Sequence, residues 1–325
     1  MHALKKIAFL TPSVPALREE MTRLLPPGFR VEFADTNDKV CHTELIKDAQ
    51  YVFLGASYLD AELIAAAPEL KMIQKWGIGV DKIDLQAAKA RGIPVAITHG
   101  SNAAQVAEHA VLLMLATLRK LSYSQKSFLA GKWINAELRM SCMQLTGKTV
   151  GFFGFGNIAR QVAKQLQGFD TKIIYFSRNR VPQAVEEQYK AEYVDFETLM
   201  RQSDILTLHA PLNAKTRDII SQQSIQLMKN TAIIVNTARG ELIDEKALYQ
   251  ALQEQRLFGA GLDVFVNEPP RMDNPLFNLD NVVLTPHAGA SVKEAVTKIV
   301  QHAFQNIAMH DQGLALDPED LIEDQ

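Results

Sequence analysis

The chain has 325 residues, enough for about two domains, and is 47% hydrophobic and 22% charged, as an ordinary globular protein is. A formal net charge of −3 gives no long-range attraction for nucleic acid or an anionic membrane, so neither is expected as a partner. Cys41 and Cys142 are the two cysteines; they form no CxxC pair and no disulfide framework, which fits a reducing cytoplasm and gives no metal site.

From the N-terminus, short β-rich runs alternate with helical patterns. The basic start is followed by "IAFL", too short for a signal-peptide core. Strands are expected at 6–10, 30–34, 51–56, 71–76 and 93–98, with helices near 15–25, 60–66 and 84–91. Helical stretches follow at about 103–120 and 122–131. The apolar run Val106 to Leu118 carries Glu108 and His109 and falls short of the ~20 residues that cross a bilayer, so it reads as a buried helix. A second alternating series places strands at 148–156, 172–177, 205–210, 232–238, 259–265 and 282–288. The tail, 291–325, reads as mostly helix with an acidic end. Such alternation predicts two doubly wound α/β domains with parallel sheets.

"VGFFGFGNIAR", 150–160, lies between a strand and a helix. Gly154 and Gly156 fit the first two glycines of a dinucleotide-binding loop, and Ala159 fits the small third residue. Backbone N–H groups at the helix start would then face the phosphates. An accidental turn before a helix is the alternative. The next strand ends in Ser177, Arg178 and Arg180, where an NAD site would carry an acid for the ribose hydroxyl. A hydroxyl and arginines suit a 2′-phosphate instead, so NADP(H) is preferred and NAD(H) is the second choice. A solvated basic strand end is the competing reading. Further on, "NTARGELID", "GLDVFVNEPP" and "TPHAGAS" end strands of the same series. Ligands of open α/β sheets gather at such ends, so Arg239, Asp263, Glu268 and His287 could converge.

These segments, with "KWGIGVDKIDLQAAKARGIPV" (75–95), "GSNAAQVAEHAVLLML" (100–115) and "LHAPLNAKTRDII" (208–220), make the chain resemble the D-2-hydroxyacid dehydrogenases nearly end to end. The nearest motifs are those of glyoxylate/hydroxypyruvate reductases and D-3-phosphoglycerate dehydrogenases. The resemblance implies a Rossmann cofactor domain, 101–290, inserted in a flavodoxin-like substrate domain made of 1–100 and a returning helix within 291–325. It implies a homodimer through the cofactor domains.

By the same resemblance His287 is the acid–base, Glu268 its orienting carboxylate, and Arg239 the fork for the substrate carboxylate. Gly154, Gly156, Asn157, Ile158, Ser177, Arg178, Arg180, His209, Ala238, Asp263 and Gly289 are the cofactor positions, with Asp263 accepting from the nicotinamide carboxamide or its ring region. Gly77, Ile78 and Gly79 are expected to offer backbone N–H groups to the substrate carboxylate. Lys75 is expected to add a charge there or to stand as an exposed strand-end lysine.

The leading expectation is an NADPH-linked reductase of glyoxylate or hydroxypyruvate. A phosphoglycerate dehydrogenase without a regulatory domain is the second enzyme reading. A dinucleotide-sensing protein like the C-terminal-binding corepressors is a third, of another class.

Overall fold

The computed structural model describes residues 4–322; the last three residues of the acidic tail lie outside them. The chain forms two compact units, one of residues up to Asn102 with those from Ser291 onward, the other Ala103–Ala290.

The first unit is built on β1 (Lys5–Phe9), β2 (Phe29–Phe33), β3 (Tyr51–Leu54), β4 (Met72–Lys75) and β5 (Val95–Ala96). They are parallel, in the order β2-β1-β3-β4-β5. β3 and β4 are buried at every residue, as strands covered on both faces must be. Alternate side chains feed two cores. Ala8, Val52 and Leu54 join one, while Ile7, Phe9, Tyr51 and Phe53 join the other. The second core also receives Val300, Ala303, Phe304 and Ile307 from the helix Lys293–Asp311. The tail is less helical than its sequence suggests. After Asp311 it runs back so that Leu321 bridges Ala96 antiparallel. Ile97 N–H donates to Asp320 at 2.8 Å and Ile322 N–H to Val95 at 3.0 Å.

The second unit carries β6 (Thr149–Phe153), β7 (Lys172–Phe176), β8 (Ala191–Tyr193), β9 (Ile205–Leu208), β10 (Ile233–Asn236), β11 (Gly259–Leu262) and β12 (Val282–Leu284). The order is β12-β11-β10-β9-β6-β7-β8, all parallel. β8 was not expected: three residues with Glu192 in the middle give too short an apolar pattern to read. The helix Ala103–Leu118 packs with β10 and β11, which accounts for its apolar run. Because every strand runs the same way, the loops after β12, β11, β10, β9, β6 and β7 emerge along one edge. The order reverses between β9 and β6, the position where open sheets of this kind bind ligands.

Candidate active site

The glycine loop follows β6. Gly154 has φ +91°, and a Cβ there would lie 2.8 Å from the Ala210 nitrogen and 2.9 Å from the His209 carbonyl carbon. Only glycine fits this turn, and it lets the loops after β6 and β9 touch. A Cβ at Gly156 would meet nothing within 4 Å. Gly156 precedes the helix Asn157–Leu166, whose start no side chain caps, and Ala159 is fully buried beneath it. Open space before uncapped N–H groups at a helix start suits a diphosphate, so the residues fit a dinucleotide. His209 stacks on Phe152 with ring centroids 5.8 Å apart, and its Nε2 lies 2.9 Å from Thr207 Oγ1. Burial pushes its pKa down to about 3, so its ring is neutral at working pH.

The turn after β7 treats its two arginines differently. Ser177 Oγ donates to the Asn179 carbonyl at 2.6 Å. Arg178 is exposed, and no hydrogen bond or ion pair among the described residues engages its side chain. Arg180 is not a free cation. Its Nε and Nη2 both donate to the Glu186 carboxylate at 2.8 Å. The expectation that both arginines face a ligand is therefore corrected: the Arg180 fork is occupied.

Arg239, Glu268 and His287 leave three neighbouring strands, β10, β11 and β12. Asn236, fully buried at the end of β10, shapes the first turn. Its Nδ2 donates to the Arg239 carbonyl at 2.8 Å and its Oδ1 accepts from Ala238 N–H at 3.0 Å. Arg239 Nη1 donates to the Ala238 carbonyl at 2.6 Å. A Cβ on Gly240 would sit 2.0 Å from the Phe265 carbonyl carbon. The Arg239 turn therefore lies directly against the loop that leads to Glu268. His287 Nδ1 is 2.9 and 3.0 Å from the two Glu268 oxygens, so Nδ1–H donates to the carboxylate and Nε2 is the nitrogen left to act elsewhere. The side chain of His287 is 47% exposed and that of Glu268 20%. His287 holds φ +51°, a left-handed conformation uncommon outside glycine and costly for the backbone.

Asp263 supplies what holds that conformation. It is 1% exposed. Oδ1 accepts from Thr285 Oγ1 at 2.6 Å and Ala288 N–H at 2.7 Å, and Oδ2 accepts from Gly289 N–H at 2.9 Å. The Asp263 carbonyl accepts from His287 N–H at 2.7 Å. His109, from the helix Ala103–Leu118, brings Nε2 to 2.8 Å from Thr285 Oγ1 and 3.3 Å from Asp263 Oδ1. Burial works against the charged carboxylate, yet hydrogen bonds from His109, Thr285 and Ala288 outweigh it and hold the pKa below the usual aspartate value. Two expectations change here. Asp263 is not a carboxylate facing open space for the nicotinamide; both its oxygens serve the 285–289 loop. Gly289 likewise gives its N–H to Asp263. His109, Thr285 and Asn236 were missed, although a histidine inside an apolar helix already signals a buried polar partner.

In the first unit, Gly77 has φ +86° and its N–H donates to Thr98 Oγ1 at 2.9 Å within the protein. The expected three-amide cradle is reduced to Ile78, 43% exposed, and Gly79. Lys75 is 8% exposed, so it is not the exposed strand-end lysine expected. Its Nζ donates to the carbonyls of Gly55 at 2.7 Å and Trp76 at 2.8 Å, tying the loops after β3 and β4. Among the described residues no group of His, Cys, Asp or Glu is placed to hold a metal ion, and no helix is long and apolar enough to cross a membrane.

Residues 111–289 match the family model for the NAD binding domain of D-isomer specific 2-hydroxyacid dehydrogenase. The chain is 43% identical over 289 residues to a hydroxypyruvate reductase of Thermotoga maritima, covering 87% of this chain and 92% of that one. It is 41% identical over 267 residues to a glyoxylate reductase of Thermococcus litoralis, covering 81% and 80%. A D-3-phosphoglycerate dehydrogenase of Methanocaldococcus jannaschii is 42% identical over 281 residues, covering 86% of this chain and 53% of that one.

Proposed function

Because the chain belongs to the D-isomer specific 2-hydroxyacid dehydrogenases, we propose that it is an NADPH-preferring reductase of glyoxylate or hydroxypyruvate. It is an oxidoreductase acting on CH–OH groups with NAD(P). Bound NAD(P)H supplies a hydride to C2 of the keto acid. His287, through the ring nitrogen that Glu268 does not hold, gives the proton to the C2 oxygen, and takes it back in the reverse direction. Glu268 accepts from Nδ1–H and fixes the ring. Arg239 forks onto the substrate carboxylate, a planar match that lysine could not make.

The observation that carries the reading is the His287–Glu268 pair at 2.9 Å on the strand edge that also bears the glycine loop and Arg239. NADPH preference rests on Ser177 and the exposed Arg178, with no acid at the end of β7 to repel a 2′-phosphate. The exposed Leu121, Phe128, Leu129, Trp133 and Met140 support the homodimer through the cofactor domains, since so many apolar groups seldom stay in water. The free Cys41 and Cys142 support a cytoplasmic location.

The test is the initial rate with hydroxypyruvate and glyoxylate, run in parallel with NADPH and NADH. Turnover with a clear NADPH preference is expected, and Arg178→Ala is expected to weaken NADPH by about tenfold more than NADH. Equal losses would remove Arg178 from the 2′-phosphate. NAD-linked oxidation of 3-phosphoglycerate with no glyoxylate or hydroxypyruvate turnover would instead favour the second enzyme reading, which the phosphoglycerate dehydrogenase relative supports.

A further inference from the structure

The turn that carries Arg178 is held by a side-chain network with no place in the hydride-transfer scheme. Tyr175, fully buried in β7, stands at its centre. Its ring stacks on Phe155 at 4.6 Å between centroids, with 27° between planes, and Phe155 lies between Gly154 and Gly156 in the glycine loop. Its hydroxyl donates to Glu186 Oε1 at 2.6 Å and accepts from Val181 N–H at 3.1 Å. Glu186, 8% exposed on the helix Gln183–Tyr189, takes both arms of the Arg180 fork. Arg180 also lies over the Tyr193 ring at 5.7 Å.

The turn Ser177–Val181 is thus pinned at both ends. The Ser177 hydroxyl closes onto Asn179, and Arg180 and Val181 are tied to one buried carboxylate–phenol pair. The Arg180 fork and the Tyr175 hydroxyl hold the Glu186 carboxyl down at about 2, so the acid is ionised at working pH, with its charge matched by Arg180. One ring touches the loop that receives the diphosphate, and its hydroxyl anchors the turn that would receive the 2′-phosphate. Fixing a binding group in its bound position removes part of the ordering cost of binding.

We propose that Tyr175, Glu186 and Arg180 form a brace that sets Arg178 in register with the glycine loop, making them positioning residues for the 2′-phosphate of NADP(H). The proposal rests on the NADPH-preferring reading above. Arg180 acts through Glu186 and does not touch the phosphate.

The test is equilibrium binding by the full-length protein, measured calorimetrically with NADPH, NADH and 2′,5′-ADP. Tyr175→Phe keeps the stack on Phe155 and removes only the hydroxyl. It should weaken NADPH and 2′,5′-ADP on the order of threefold, with a much smaller change for NADH. Arg180→Met and Glu186→Gln should each weaken the two phosphorylated ligands on the order of tenfold, and the double variant should be no worse than the poorer single, because the two side chains act as one unit. Arg180→Lys should recover part of the loss. Additive losses in the double variant would put Arg180 on the phosphate itself and overturn the brace. So would tighter NADPH binding by Glu186→Gln, or equal weakening of NADPH and NADH. Arg178→Ala separates the two claims. If it discriminates against NADPH while none of the brace variants does, only the brace fails. If it weakens both cofactors equally, the 2′-phosphate reading itself fails.

Discussion

Two histidine–carboxylate pairs stand on the same edge of the seven-stranded sheet and differ in almost everything but composition. His287 and Glu268 are partly open, at 47% and 20% side-chain exposure, and meet through Nδ1 at 2.9 Å. His109 and Asp263 are closed, at 13% and 1%, and share Thr285 between them. The open pair leaves one ring nitrogen that Glu268 does not hold, as the proposed proton transfer requires. In the closed pair both carboxylate oxygens and the His109 Nε2 are engaged inside the protein. The difference teaches that a histidine beside a carboxylate is not by itself an acid–base catalyst. Exposure, and how many partners the carboxylate already has, decide which pair exchanges protons and which holds a loop. The two are also linked: Asp263 holds the main-chain N–H groups of His287, Ala288 and Gly289, so the closed pair positions the open one.

Breaking the open pair gives the largest expected effect. His287→Ala should lower kcat for keto-acid reduction about a thousandfold or more, as loss of a general acid does, while NAD(P)H still binds with parent affinity by titration. Parent-like turnover in this variant would remove His287 from the chemistry. Breaking the closed pair should instead show first in stability. Asp263→Asn leaves the donors from His109, Thr285, Ala288 and Gly289 facing an amide that cannot accept from all of them. A cost of about 3 kcal/mol is expected in chemical denaturation, the scale for removing one partner from a buried charged network. A loss below about 0.5 kcal/mol, the ordinary range for a surface substitution, would mean that the 285–289 loop holds itself.

The same contrast marks what the sequence could tell. The glycine loop was legible because turn chemistry is local: Gly154 must be glycine for a turn at φ +91°, and a strand before and helix after are visible in the apolar pattern. His287, Glu268 and Arg239 were legible because their wording and order match a known family. What stayed hidden depends on partners far along the chain or on burial. Lys75 looked like a surface charge, and only the fold brings the Gly55 carbonyl to it. Arg180 looked like half of a basic strand end until the helix Gln183–Tyr189 turned Glu186 back onto it. His109 lies 154 positions before Asp263 in the chain, and no local pattern couples them. The three-residue β8 carries too little apolar periodicity to be seen at all.

The smallest expected effect is the one that ties the closed pair to its charge. The pKa of Asp263 in the folded protein is held below its ordinary value, which in an unfolded chain is about 3.9. A carboxyl with a depressed folded pKa contributes stability that is fully present above the unfolded value and is lost as pH falls through the folded one. The stability gap between the parent and Asp263→Asn should therefore stay constant from pH 7 down to about 5 and narrow only below about pH 4. Other carboxyls held low, Glu20 and Glu186 among them, are present in both proteins and cancel in the difference. Denaturation of both proteins across pH 3 to 7, read as that difference, checks it. A gap that already closes near pH 6 would show that the ionisation of Asp263 does not set its pH dependence, and would remove the charged carboxylate from the account of how the 285–289 loop is held.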